Sequence, residues 1–130
     1  MPGARPSTNL SYAALFCLAL ACCAPQPGPA AHLAMADIQS ILEPLTYREM
    51  WGKKCGAPGM AVKTAFIQDL KSAGATADLL RQAETEAGRV EALERETPNE
   101  YVCTVELSES TEKNATAAQL AWTDLKKRKS

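Results

Sequence analysis

The residues that could take part in chemistry are few in this chain of 130 residues: five cysteines, one histidine and a set of glutamates. Thiolates act as nucleophiles or metal ligands, histidine is the commonest general base near neutral pH, and paired carboxylates can hydrolyse glycosides. Cys17, Cys22 and Cys23 lie in the first 36 residues, whereas Cys55 and Cys103 lie in the body of the chain. The cysteines therefore fall into two groups that need separate interpretations.

Cys55 and Cys103 are predicted to form one disulfide, because two cysteines in a small exported domain usually pair. The bond would close a loop of about 50 residues, which the chain-entropy argument values at roughly 4 kcal/mol. A redox-active pair is the alternative, but such pairs usually have the Cys-x-x-Cys spacing, which these two residues lack.

Catalytic groupings are not found in the predicted mature sequence. His32 precedes the predicted cleavage site, which removes Ser-His pairs, Cys-His pairs and histidine-containing zinc sites. Glu84, Glu91 and Glu94 could lie near one helix face, where two carboxylates could act as an acid–base pair, although glutamates on a charged helix usually serve solvation. We therefore predict a protein that is not an enzyme and that needs no cofactor or metal.

The N-terminal segment is typical of a secretory signal. Arg5 is its one charge up to Ala36, and an apolar run from Tyr12 to Ala24 is followed by three prolines. A membrane-spanning helix needs about 18 or more apolar residues, and this run is shorter. The sequence predicts a periplasmic or secreted protein whose mature chain has no transmembrane span.

Three processing schemes are open. Ala34-Met35-Ala36 has the A-x-A form, and cleavage after Ala36 would leave residues 37–130 as a single helical domain behind a signal peptide and linker, 1–36. Lipidation at Cys22 is the second scheme, with the Pro/Gly-rich stretch after it as a tether to the membrane. Translation starting at Met35 is the third, and it would weaken the argument for the disulfide.

Charge excludes one class of partner. The net charge is −1, so no strongly basic surface for nucleic acid is expected. The stretch Glu84 to Glu112 holds nine glutamates and two arginines, and the chain ends in the basic run 126–129. We interpret these as a solvated helix face and as cations at a helix C-terminus. Asn114-Ala115-Thr116 has the form of a glycosylation acceptor, which matters only in a eukaryotic secretory pathway.

Hydrophobic spacing indicates helices throughout. Ile38, Ile41, Leu42 and Leu45 form a one-faced stripe, with Pro44 expected to end that helix near residue 43. A capping box at 46–49 then predicts a restart that carries Met50, Trp51 and Cys55.

Three more helical stretches follow. One runs from about residue 58 or 60 to 73, and the next begins after an N-cap at Thr76 and reaches Glu96. The last begins at the capping signature 97–100 and continues to Leu125, with an interruption expected within the polar stretch 108–116. The predicted fold is all-α, a small bundle of three to four helices closed by one disulfide.

The predicted function is a non-enzymatic binding or interaction module of the cell envelope, with an unidentified protein partner and with Trp51 or Tyr47 as contact residues. One alternative is an acid-stress chaperone, because small periplasmic acid-resistance chaperones are similar in outline: helical, of comparable mature length and closed by one disulfide. In that case, protonation of the acidic stretch would loosen the helices and expose apolar surface. A further alternative is a lipoprotein anchored through Cys22.

Overall fold

A computed structural model describes residues 27–57 and 61–130, and every regular element within them is a helix. In chain order these are α1 (Met35–Cys55), α2 (Val62–Ser72), α3 (Ala77–Glu96), α4 (Asn99–Val102) and α5 (Val105–Lys129). The predicted all-α fold is confirmed, although the single turn α4 brings the described helices to five rather than three or four. None of the helices α1 to α5 is both long and apolar enough to cross a membrane.

The first helix, α1, is the centre of the molecule and contacts each of the other four helices. Its predicted apolar stripe is buried, with Ile38 and Leu42 fully removed from solvent. The core around it combines residues of α2, α3 and α5 with two residues that precede α1. Its larger side chains are Leu33, Ile38, Ile41, Leu42, Leu45, Phe66, Leu70, Leu79, Trp122 and Leu125.

Pro44 does not end the first helix, so the prediction of a stop near Glu43 is wrong. The helix α1 is continuous, with Pro44 in its interior. A proline in a helix interior costs roughly 3 kcal/mol. Leu42 before it and Leu45 after it are buried in one core, and the burial of each such side chain stabilises the fold by about 1.5–3 kcal/mol. The core therefore holds the helix together across the proline.

A carboxylate from α1 caps the N-terminus of α2. The residue before α2 is Ala61, which has no side-chain oxygen to accept from the first N–H groups of the helix. Glu49 supplies it: its carboxylate accepts from the N–H and from the hydroxyl of Thr64, each at 3.1 Å. Lys63 lies 3.3 Å from Glu49 and 2.9 Å from Glu91 of α3, so one network centred on the buried Glu49 joins three helices.

This network makes the free energy of unfolding depend on pH. Burial opposes ionisation of Glu49, but the Thr64 N–H and the nearby Lys63 outweigh it and hold the pKa of Glu49 below its ordinary value. The unfolded chain therefore binds this proton more readily than the folded one. The stabilisation is fully present above the ordinary carboxyl pKa and is lost as pH falls through the folded-state pKa.

We therefore expect Glu49→Gln to be less stable than the wild type at pH 7, with the difference shrinking toward pH 3. Urea denaturation at a series of pH values measures it. Glu84→Gln, at an exposed position of α3, is the matched control and should follow the wild type at every pH. A wild type and a Glu49→Gln variant that lose stability in parallel on acidification would contradict the assignment.

The boundaries of α2 and α3 follow local sequence signals. Helix α2 ends at Ser72, shortly before Gly74, whose φ of +91° is a left-handed conformation that suits glycine. Thr76 caps α3 as predicted, because its hydroxyl accepts from the N–H of Leu79 at 3.1 Å. Short-range capping rules are sufficient at these positions.

The last predicted helix is interrupted in a different place from the one expected. The break lies at Cys103 and Thr104, and α5 runs without interruption through the polar stretch 108–116. Cys103 is bonded to Cys55 at the end of α1, with a Cα–Cα distance of 5.4 Å, and its φ and ψ of −87° and 61° are not helical. Thr104 then caps α5, accepting from the N–H of Leu107 at 3.2 Å. The predicted disulfide is confirmed.

Candidate functional site

An open groove of about 430 Å³ lies between α1 and the N-terminal half of α5. Helix α4 and the last turns of α3 border the same groove. We call it the aromatic groove, and its lining residues are Ser40, Glu43, Pro44, Tyr47 and Trp51 of α1, Glu94 of α3, Val102 of α4, and Leu107, Ser110, Thr111 and Asn114 of α5.

One stripe of α1 forms the floor of the aromatic groove. Ser40, Pro44, Tyr47 and Trp51 follow each other at three- or four-residue spacing, so they lie on one side of the helix. This side is not the one that carries Ile38 and Leu42 into the core. The floor is apolar because a proline and two aromatic rings occupy it.

Helix α5 covers this stripe only in part, so that Pro44, Tyr47 and Trp51 are half-buried, because the two ends of α5 differ. Its buried residues begin ten residues into the helix and are Ala115, Ala118, Trp122 and Leu125. In the N-terminal half the groove is lined by Leu107 and by the polar side chains of residues 110, 111 and 114. Short polar side chains do not fill the space over two aromatic rings, and an open apolar groove is the result.

Trp51 is held in place before anything binds. Its indole N–H donates to the carbonyl oxygen of Val102 at 3.0 Å. The guanidinium carbon of Arg48 lies 5.3 Å from the centre of the Trp51 ring, within cation–π range. Arg48 is itself buried and lies 3.4 Å from Glu112 of α5. A fixed aromatic side chain loses little conformational entropy on binding, which favours its use as a contact residue.

The rim of the aromatic groove is polar. Glu43 and Glu94 both line it, and neither forms an ion pair within residues 27–57 and 61–130. Hydroxyl and amide groups of Ser110, Thr111 and Asn114 complete the rim. An apolar floor inside a polar rim is the usual anatomy of a protein-binding surface.

Exposed apolar residues gather beside the same groove. The large hydrophobic residues of the described chain that remain exposed are Leu93, Tyr101, Val105, Leu107 and Leu120. All but Leu120 lie in the segment 93–107, which borders the groove through Glu94, Val102 and Leu107. Clustering of exposed apolar side chains marks interaction surfaces more reliably than single exposed residues do.

The predicted site residues fall at different places. Tyr47 and Trp51, the expected contact residues, both line the aromatic groove. Ala36, the predicted cleavage position, is exposed in the first turn of α1. Cys22 lies outside the described residues. The sequence did not indicate Pro44 or Leu107 as site residues. The polar stretch after Leu107 was the available signal, because short polar side chains bury little of the facing surface of α1.

The three glutamates proposed as an acid–base set have separate roles in the structure. Glu91 pairs with Lys63 at 2.9 Å and with Arg95 at 3.9 Å, whereas Glu94 lines the groove and Glu84 is exposed. Within the described residues, no group of three histidine, cysteine, aspartate or glutamate side chains is placed to hold a metal ion.

Comparison of the chain with protein-family models, with curated proteins and with solved structures finds no match, so the interpretation of the aromatic groove rests on its geometry.

Proposed function

We propose that this protein is an exported, non-enzymatic interaction module of the cell envelope that binds a partner protein in the aromatic groove. The observation that carries the proposal is the convergence of Tyr47 and Trp51 on one open apolar groove with a polar rim. The bound group is an apolar side chain of the partner, or two adjacent ones.

Size and chemistry both support this assignment. The groove of about 430 Å³ lies in the range of small-molecule and side-chain pockets. Tyrosine and tryptophan are the residues that most often dominate binding energy at protein interfaces. Exposed Tyr101 and Val105 extend the apolar surface beyond the groove itself, so a partner can contact more than the pocket.

The location in the cell envelope rests on two observations. The Cys55–Cys103 disulfide is of the kind found in oxidising compartments, and the apolar N-terminal run has the length of a secretory signal. A periplasmic or secreted protein fits both. Attachment to the membrane through a lipid on Cys22 is the alternative, and it would place the same groove at a membrane surface.

Photocrosslinking in the native host tests the binding site. A benzoylphenylalanine residue at position 111 lies on the rim of the groove, and one at position 120 lies exposed on the same helix but outside the groove. We expect a discrete crosslinked product from position 111 that position 120 does not give. Identical products from both positions, or none from position 111, would argue against the groove as the binding site.

Truncation of a floor residue should weaken that interaction. We expect Tyr47→Ala to remove the product from position 111 and to lower affinity for the captured partner by about 30-fold, equivalent to about 2 kcal/mol. Leu120→Ala truncates an exposed apolar side chain outside the groove and should leave affinity unchanged. Circular dichroism of both variants checks that the fold is retained. Equal affinity of Tyr47→Ala and wild type would show that the floor is not used.

A second candidate function, an acid-stress chaperone, is favoured by the buried Glu49 network. Protonation of Glu49 weakens the cap of α2 and its link through Lys63 to α3, which loosens helices that cover the core. We expect the wild type to suppress aggregation of a model client protein at pH 3 and not at pH 7. Client aggregation at pH 3 that is unchanged by the protein would exclude this function.

A further inference from the structure

The segment that precedes α1 is built into the core. Ala30 is fully buried and Leu33 is 6 % exposed, and both belong to the hydrophobic core that contains Ile38 and Leu70. The N–H of Ala30 donates to the carbonyl oxygen of Ala73 at 2.9 Å. Residues 28–33 thus cover the junction between the start of α1 and the end of α2.

Gly28 makes this contact possible. A Cβ atom at Gly28 would lie 2.1 Å from the carbonyl oxygen of Ala73, a distance that no side chain tolerates. Gly74 faces Gly28 from the other side, with the Cα of Gly28 3.4 Å from a Cβ built at Gly74. Two glycines meeting at a backbone crossing suit a permanent contact of the folded protein, which a discarded linker does not need.

Cleavage after Ala36 would destroy this arrangement. It would remove Ala30 and Leu33 from the core and take Met35 and Ala36 from the first turn of α1. It would also delete the N–H of Ala34, which donates to the carboxylate of Asp37 at 2.8 Å. A processing site that strips a folded core of its own residues conflicts with the structure.

We propose that the leader is instead hydrolysed at the Ala21–Cys22 bond, so that residues 28–36 stay in the mature protein. Ala19-Leu20-Ala21 has the same A-x-A form as 34–36, and the apolar run from Tyr12 to Leu18 before it is long enough for a signal core. Water adds across the peptide bond, the leader leaves with the new carboxylate of Ala21, and Cys22 keeps a free amine. The six residues 22–27 then link this terminus to the folded domain.

The proposal changes what the mature protein contains. His32, exposed on the segment before α1, is retained, and the chain begins with Cys22 and Cys23 in addition to the bridged pair. The inference rests on the export in the proposed function and makes no use of the aromatic groove. A wrong cleavage position would therefore not contradict binding in the groove, because the mature N-terminus is measured by mass spectrometry and the groove is tested by crosslinking.

Intact-mass spectrometry of the full-length chain, expressed with a C-terminal tag in an exporting bacterial host, reads the terminus directly. We expect a chain that begins at Cys22. The thiol of Cys22 can be free or can carry a lipid, and both masses support hydrolysis of the Ala21–Cys22 bond. A chain that begins at Met1, Met35 or Asp37 overturns the proposal, and any terminus other than Cys22 overturns the assignment of the bond.

Matched aspartate substitutions separate the two candidate bonds, since a charged residue before the scissile bond blocks signal processing. Ala21→Asp should accumulate the uncleaved precursor, whereas Ala36→Asp, at an exposed position, should mature normally. The reverse result overturns the proposal.

A melting experiment on the purified mature protein gives an independent test. We expect Leu33→Ala to lower Tm by about 5 °C or more, because it opens a cavity in the core. His32→Ala, at the exposed neighbouring position, should leave Tm unchanged. If residues 28–36 are removed on export, the mature proteins are identical and no shift appears, which overturns their retention.

Discussion

Removing the Cys55–Cys103 disulfide is expected to lower the free energy of unfolding by about 4 kcal/mol. The two cysteines are 48 residues apart, so the bond restricts a long loop in the unfolded chain. A domain of this size has a total stability of only about 5–10 kcal/mol, and the loss is therefore a large fraction of it. Urea denaturation of the wild type and of the double variant Cys55→Ala/Cys103→Ala measures the difference.

The disulfide also positions one edge of the aromatic groove. Cys103 follows Val102, whose carbonyl oxygen accepts from the indole of Trp51. We expect the double variant to release α4 and to shift the fluorescence of Trp51 toward that of a solvent-exposed indole, even under conditions where helix content is retained. A double variant with unchanged stability and unchanged emission would show that packing alone holds α4.

Truncation of Trp122 is expected to be as severe as loss of the disulfide, lowering stability by about 3–5 kcal/mol for Trp122→Ala. The ring is 6 % exposed and meets Phe66 edge-to-face with centroids 5.1 Å apart. Its indole N–H donates to Asp69 at 2.6 Å, and Lys126 reaches the same carboxylate at 2.7 Å. This cluster is a direct link between α2 and α5, both of which pack on α1.

Trp122→Phe separates packing from hydrogen bonding. It keeps an aromatic ring against Phe66 but loses the donor to Asp69 and a small part of the buried ring, so we expect a loss of about 1–2 kcal/mol, well below that of the alanine variant. The hydrogen bond from Lys126 is the main reason why the pKa of Asp69 lies below its ordinary value; burial opposes it, and the bond from the Trp122 indole lowers the pKa further. The pKa of Asp69 should therefore rise in Trp122→Phe, as NMR titration of its carboxyl carbon can show. Equal losses for the alanine and phenylalanine variants would contradict this division.

Local patterns predicted most of the fold. The apolar spacing of α1, the Thr76 cap and the pairing of Cys55 with Cys103 all appear as expected. The two errors in helix boundaries have one cause. Pro44 and the stretch 108–116 are unfavourable or neutral for a helix locally, and packing of distant residues on α1 decides the outcome.

The candidate site was only partly visible in the sequence. Tyr47 and Trp51 stand out because large aromatic residues are rare in this chain, and the structure places both in one groove. That they share it with Leu107 and Asn114 depends on how α5 crosses α1, which no local spacing encodes. Glu49 as the cap of α2 is likewise a contact between residues of different helices.

The sequence by itself determined the helical class, the apolar face of the central helix and the disulfide. These follow from period, capping chemistry and cysteine count, all of which act over a few residues or through composition. Only the tertiary structure decided that α1 continues through Pro44, that α5 covers the aromatic stripe only in part, and that Ala30 and Leu33 belong to the core. Each of these depends on burial against residues distant in the chain, and burial is a property of the packed molecule.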